Sequence, residues 1–161
     1  MTDVAEQVPQ HAVDAALNWF SSLTPSSLGA IGEVYASSAI FQDPFQRVQG
    51  IDSVRRVYAH MFEALESPRF VIRDCAHQNN HTFVTWDFEF ALSVGRRRMA
   101  HTIHGSSHFQ WVRDGTGWRL GAHRDYWDPA QEVYEKVPVL GGLMRWLKRK
   151  LATPAAKHRS T

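Results

Sequence analysis

Val84-Thr85-Trp86-Asp87-Phe88-Glu89-Phe90-Ala91-Leu92 decides the fold class of this chain. Large apolar side chains alternate with Thr, Asp, Glu and Ala, the period of two expected of a strand with one buried face. The same period governs residues 68–127. Gly95 with Arg96-Arg97-Arg98 marks a turn, 99–112 reads as a long strand, Asp114-Gly115-Thr116-Gly117 as a tight turn and 118–127 as the last strand. Upstream the period is helical. Val13, Ala16, Leu17 and Phe20 predict an amphipathic helix over about 10–22. Thr24 is placed to cap a second helix with Pro25 at its first position, and Leu28, Ile31 and Tyr35 form its apolar stripe. A short strand over 39–42 runs into an Asp43-Pro44 turn, and Gln49-Gly50 closes the hairpin. A third helix starts at Asp52 or Ser53, buries Val54, Val57, Tyr58, Met61, Phe62 and Leu65, and ends at Pro68. Helices followed by an antiparallel sheet make an α+β fold.

The expected organisation is a flexible leader over 1–9, one domain over 10–140, a basic amphipathic helix over 141–151 and a disordered tail over 152–161. In the basic helix Leu143, Met144, Trp146, Leu147 and Leu151 interleave with Arg145, Lys148, Arg149 and Lys150. It is a candidate for contact with an anionic membrane surface, for covering a cavity mouth, or for packing on a partner. The 161 residues are 43% hydrophobic and 12% aromatic, a globular composition for one domain. A net charge of +2 gives no reason to expect nucleic acid as a partner. The single cysteine, Cys75, excludes an internal disulfide and fits a reducing compartment. No apolar run has the eighteen or so residues of a membrane span, and residues 1–10 lack a signal-peptide core. A soluble, cytoplasmic protein is the expectation.

Two stretches offer acid–base chemistry: Phe41-Gln42-Asp43-Pro44 and Arg124-Asp125-Tyr126-Trp127-Asp128. Asp43 before proline fits a turn whose side chain bonds local backbone, and equally a pocket carboxylate. Asp125 shares strand parity with Gly121, His123 and Trp127. On an internal face His123 pairs with Asp125; on an external one Asp125 meets a nearby arginine. Asp87 and Glu89 alternate with aromatics, which by pattern alone puts the acids outside. His101, His104 and His108 have a spacing that gathers metal ligands on a helix, but a strand splits them between two faces, so no metal is expected. His101, Ile103, Gly105 and Ser107 share one parity.

The order helix, helix, strand with Asp-Pro, helix, then long strands resembles the nuclear transport factor 2-like (SnoaL-like) superfamily over about residues 10–140. That superfamily includes ketosteroid isomerases, polyketide cyclases and limonene epoxide hydrolases. The resemblance implies a cone-shaped fold, three helices on a curved antiparallel sheet around an enclosed aromatic-lined cavity. It implies cofactor-independent hydration, isomerisation or cyclisation of a hydrophobic ring-containing or lipid-like molecule, and a homodimer through the outer sheet face. Asp43 falls where ketosteroid isomerases keep their proton-shuttling aspartate, while Trp19 and Ser107 stand where the isomerase oxyanion hole has its tyrosine and aspartic acid. Arg124-Asp125-Tyr126-Trp127-Asp128 is similar to the Arg-Asp-Tyr-Phe-Asp of limonene epoxide hydrolases, which makes Asp125 the general base with His123 assisting. Phe41 and Asp43 match the hydrolase tyrosine and asparagine that hold water, and Asp87 matches the epoxide-protonating acid. Thr85 matches the arginine bridging the hydrolase carboxylates, and no register restores that arginine. The implied pocket wall is Trp19, Phe41, Tyr58, His101, Ile103, Ser107 and Trp127. The alternative is a non-catalytic module that binds a hydrophobic ligand, or a dimeric interaction domain.

Overall fold

The structure is a computed structural model that describes residues 7–94, 96–115 and 117–129. Helix α1 (Gln10–Ser21), a 3-10 helix (Ser26–Glu33), strands β1 (Tyr35–Gln42) and β2 (Arg47–Gln49) and helix α2 (Ile51–Ala64) come first. Strands β3 (Glu66–Gln78), β4 (His81–Val94), β5 (Arg97–Asp114) and β6 (Gly117–Tyr126) follow. All six strands form one sheet in the order β2-β1-β6-β5-β4-β3. The architecture is α+β, as the change of period indicates. No helix among the described residues is long and apolar enough to cross a membrane. The expected basic helix over 141–151, the tail over 152–161 and the last part of the expected 10–140 domain, residues 130–140, lie outside the described residues.

The sheet is mixed rather than wholly antiparallel. β3 to β6 form an antiparallel meander, but β1 runs parallel to β6, with Phe41 beside His123 and Gln42 beside Arg124. Tight turns force the meander strands to alternate in direction. β1 and β6 are joined by no hairpin, so packing alone sets their direction. Other boundaries also move. Tyr35 ends no helical stripe; it opens β1, which at 8 residues begins four residues before the expected 39–42. α2 stops at Ala64, because Leu65 is already extended, with φ −122° and ψ 148°. Pro68 therefore lies inside β3, on a sheet edge and within the register shift between Glu66 and Arg69, where its missing N–H breaks no ladder bond. Val8 is buried, its N–H donates to Asn79 C=O at 3.2 Å, and its own carbonyl accepts from His77 Nε2 at 3.2 Å.

Thr24 and Ser27 cap each other at the start of the 3-10 helix, each side-chain oxygen accepting the other residue's N–H at 3.2 and 2.9 Å. α1 buries Val13, Ala16 and Phe20, and α2 buries Val54 and Tyr58. Both belong to the core that holds Val84, Trp86, Phe109, Trp111 and Leu120 on the inner sheet face. Phe109 and Trp111 are 2% exposed and part of this core. Each such ring removed from water contributes roughly 1.5–3 kcal/mol.

Gly105 is required where it stands. A Cβ there would overlap the six-membered ring of Trp86, its cross-strand partner, which lies flat across β5. Gly105→Ala is expected to destabilise the fold by about 1–3 kcal/mol, the range for overpacking a filled core. Urea denaturation would register it as a lower midpoint at unchanged slope.

Candidate active site

β6 lies against β5 with Asp125 opposite Ser107 and His123 opposite Phe109, so strand parity turns all four inward. β1 brings Phe41 edge-on to the His123 ring, with centroids 4.9 Å apart, and delivers the Tyr35 hydroxyl to the same imidazole. α2 supplies Tyr58 at 4% exposure, and β4 supplies Trp86 at 5%.

These side chains form one buried hydrogen-bond network that converges on Asp125. The Tyr58 and Tyr35 hydroxyls are 2.8 Å apart, and Tyr35 lies 2.5 Å from His123 Nδ1. His123 Nε2 is 2.7 Å from Asp125 Oδ1. On the other side Trp86 Nε1–H donates to Ser107 Oγ at 2.8 Å, and the Ser107 hydroxyl donates to the same Oδ1 at 2.5 Å. Two arms thus meet on one carboxylate oxygen. Oδ2 keeps no hydrogen bond among the described residues, and the Asp125 side chain is 13% exposed. A charge this far from water is tolerable because ionised hydrogen bonds compensate it, each contributing about 1.5–3 kcal/mol.

Asp125, Ser107, His123 and Tyr58 line a cavity closed by Phe20, Phe70, Ile72, Val84, Trp86 and Phe109. Its volume is about 20 Å³, room for roughly one water. The aromatic-lined cavity beside Asp125 is thus small. The Trp86 indole, lying over Gly105 with Phe70 edge-on to it at 5.5 Å, fills the space a ring-shaped ligand would need. A larger, open recess of about 660 Å³ runs between α1 and the β5–β6 turn, lined by Trp19, Trp111 and Trp118. None of Asp43, His123 or Asp125 borders it, so the large recess and the expected acid–base residues do not coincide.

The other candidates divide. Ile103 is buried on the inner face, and Ser107 belongs to the network. Trp19 turns its N–H to Ser27 C=O at 3.3 Å and faces the open recess. Trp127 stacks edge-on against Phe45, centroids 5.2 Å apart. His101 stacks on Phe90 and lines a separate recess; its Nε2 is buried without a partner among the described residues. Asp43 makes the turn contacts that its Asp-Pro context allows: Oδ1 accepts the Phe45 and Gln46 N–H groups at 2.7 and 2.9 Å. Its charge still reaches Tyr58. The placement of Asp87 in the cavity is corrected. It lies on the outer face between Arg73 and His104, at 2.5 Å from each. The His104 hydrogen bond, then Arg73, hold its carboxyl below the usual range. His104 and His108 share that outer face, and among the described residues no three His, Cys, Asp or Glu groups converge to hold a metal ion. Sequence pattern gives Tyr35 and Trp86 no polar role, because tyrosine and tryptophan at these positions read as core and nothing local signals their long-range partners.

Burial, reinforced by the charge of Asp125, holds both phenols well above their ordinary range. An acid whose folded pKa is raised keeps its proton while the unfolded chain ionises. Its contribution is complete below the unfolded tyrosine pKa of about 10 and is lost as pH climbs above it toward the folded value. Stability is expected to fall by up to about 1.4 kcal/mol per pH unit for each tyrosine above that point. Urea titrations across the alkaline range should give a steeper loss for wild type than for the Tyr35→Phe/Tyr58→Phe double variant.

A family model of the SnoaL-like domain matches residues 16–119. No curated protein matches the chain. Among solved structures, a putative SnoaL-like polyketide cyclase from Shewanella denitrificans OS-217 superposes with a TM-score of 0.66 at 14% identity, covering 81% of this chain and 98% of its own. A putative SnoaL-like polyketide cyclase from Jannaschia sp. CCS1 gives 0.61 at 15% identity, covering 96% and 99%. An LEH-like epoxide hydrolase from Mycobacterium tuberculosis gives 0.55 at 18% identity, covering 86% and 94%. These identities carry the fold and no activity. With the family match spanning most of the chain, the protein belongs to the SnoaL-like domain family.

Proposed function

We propose that this domain is a cofactor-independent enzyme in which Asp125 is the single general base for an enolisable, hydrophobic, ring-containing substrate. The carrying observation is the one-sided bonding of Asp125: both donors occupy Oδ1, and Oδ2 remains available. In this reading Oδ2 takes the proton of a C–H beside a carbonyl, and the C–H electron pair becomes an enolate. The carboxylic acid then returns that proton to another carbon, an isomerisation. Alternatively it protonates the alkoxide formed when the enolate carbon attacks a second carbonyl, a cyclisation. Protons balance and nothing is oxidised or reduced. Epoxide opening, which uses a separate acid, is less well supported, because Asp87 faces away and Asp43 is committed to its own turn. The cyclase and hydrolase names among the structural neighbours agree with acid–base chemistry on small molecules.

The cavity of about 20 Å³ favours a second reading, a module that binds without turnover. The two readings separate on one experiment. Ring-containing ketones that raise the melting temperature are incubated in D₂O, and exchange at the α-carbon is followed by NMR. Asp125→Asn keeps the side-chain shape but cannot accept the proton, so exchange is expected to fall about a hundredfold or more with the fold intact by circular dichroism. Ligands that bind wild type and Asp125→Asn equally and exchange in neither would decide for the binding module.

The partner we propose is a second copy of the chain, meeting on the outer sheet face where Phe83, Val112 and Tyr126 are 56%, 40% and 46% exposed. Light scattering should give about twice 18.4 kDa for wild type and the single-chain mass for Phe83→Glu.

A further inference from the structure

We propose that Tyr58 and Tyr35 are positioning residues that fix His123 as the neutral tautomer with its proton on Nε2. Their hydroxyl chain acts on the Asp125 carboxylate through that ring, and the assignment of a role in turnover rests on the reading of Asp125 as a base.

Tyr58 Oη meets only Tyr35 Oη among the described residues, at 2.8 Å. Suppose His123 carried a proton on Nδ1, whether as the other tautomer or as the imidazolium. That N–H would donate to Tyr35, the Tyr35 hydroxyl would donate to Tyr58, and the Tyr58 hydrogen would have no side-chain or backbone acceptor among the described residues, only the one-water cavity that Tyr58 lines. A buried donor left unmade is costlier than a spare lone pair. In the opposite direction Tyr58 donates to Tyr35, Tyr35 donates to Nδ1 at 2.5 Å, and Nε2–H donates to Asp125 Oδ1 at 2.7 Å. Every hydrogen then has an acceptor, and only lone pairs on Tyr58 go unused.

The surroundings of the ring leave it no other polar choice. His123 is 4% exposed, stacked on the Tyr35 ring and flanked edge-on by Phe20, Phe41 and Phe109. Its remaining polar neighbour is Ser107 Oγ, 3.3 Å from Nε2, on the same side as Asp125. The opposite direction of donation, Asp125 to imidazole, would need a proton on Oδ1, which already accepts from Ser107. Tyr58 thus stands three hydrogen bonds from the carboxylate and still determines which imidazole nitrogen carries the proton.

Long-range ¹H–¹⁵N correlation spectra of the full chain test this without a substrate. The His123 signals are identified among the nine histidines by their loss in His123→Asn. Near neutral pH the expected pattern is a pyridine-type Nδ1 and a protonated, pyrrole-type Nε2. Two protonated nitrogens, or a proton on Nδ1, would overturn the proposal. In Tyr35→Phe the Nδ1 resonance is expected to shift as it loses its donor, and an unchanged resonance also overturns it. Should Tyr35→Phe not fold, Tyr58→Phe is read by the same rule: Nδ1 moves, or the chain does not set the tautomer. If Asp125→Asn retains α-proton exchange, the general-base reading fails while the tautomer assignment stands on its own spectra.

Discussion

One constraint organises this molecule: a carboxylate, Asp125, is held inside an aromatic core and must be satisfied there. An ionised group so far from solvent survives only with hydrogen bonds to its charge. The chain supplies them from four elements, His123 and Asp125 on β6, Ser107 on β5, Trp86 on β4 and Tyr35 on β1, with Tyr58 of α2 behind. The same bonds therefore tie the helical layer to both halves of the sheet. The parallel β1–β6 pairing is part of this, because it sets Phe41 and Tyr35 on the ring of His123.

Trp86 has two roles that compete for the same space. Its indole N–H completes the Ser107 arm, and its ring, lying over Gly105, occupies most of the room beside Asp125. A ligand larger than water must move the indole, and moving it takes away the donor to Ser107. Ligand entry and the polar support of the Asp125 carboxylate are thereby coupled through one side chain. A ligand that offers Ser107 a replacement donor would lose least by that exchange.

The fold was legible in the sequence where one period ran long. The alternation over residues 84–92 gave β4 its inner and outer faces, and it correctly put Asp87 outside against the family alignment, where Arg73 and His104 meet it. Asp125 and His123 shared a parity that the structure turns inward. Boundaries were less legible. Tyr35 continues a helical stripe by spacing yet belongs to β1, and the helix before Pro68 ends at Ala64 because edge-strand pairing tolerates that proline. The direction of β1 was hidden as well, since only hairpins encode direction locally. The Tyr58–Tyr35–His123 contact joins residues 23 and 88 apart in sequence, and no short-range pattern reports such a pair.

The arrangement also bears on which kind of acid–base chemistry suits the site. Chemistry with two carboxylates works by pushing their proton affinities apart, one kept as acid and the other as base. Here the remaining candidates have been spent elsewhere: Asp43 caps its own turn and Asp87 lies behind the sheet. Asp125 is left as the one internal carboxylate among the described residues of the network, with both supporting donors on a single oxygen. Such an oxygen pair is asymmetric by construction: Oδ1 is anchored, and Oδ2 is the oxygen left for the proton exchange we propose. A lone, anchored base can take a proton and return it without any partner being reset, whereas a hydrolytic cycle must deliver one proton and consume a water. Transfer of a proton within one substrate is therefore the chemistry that asks least of what this core contains.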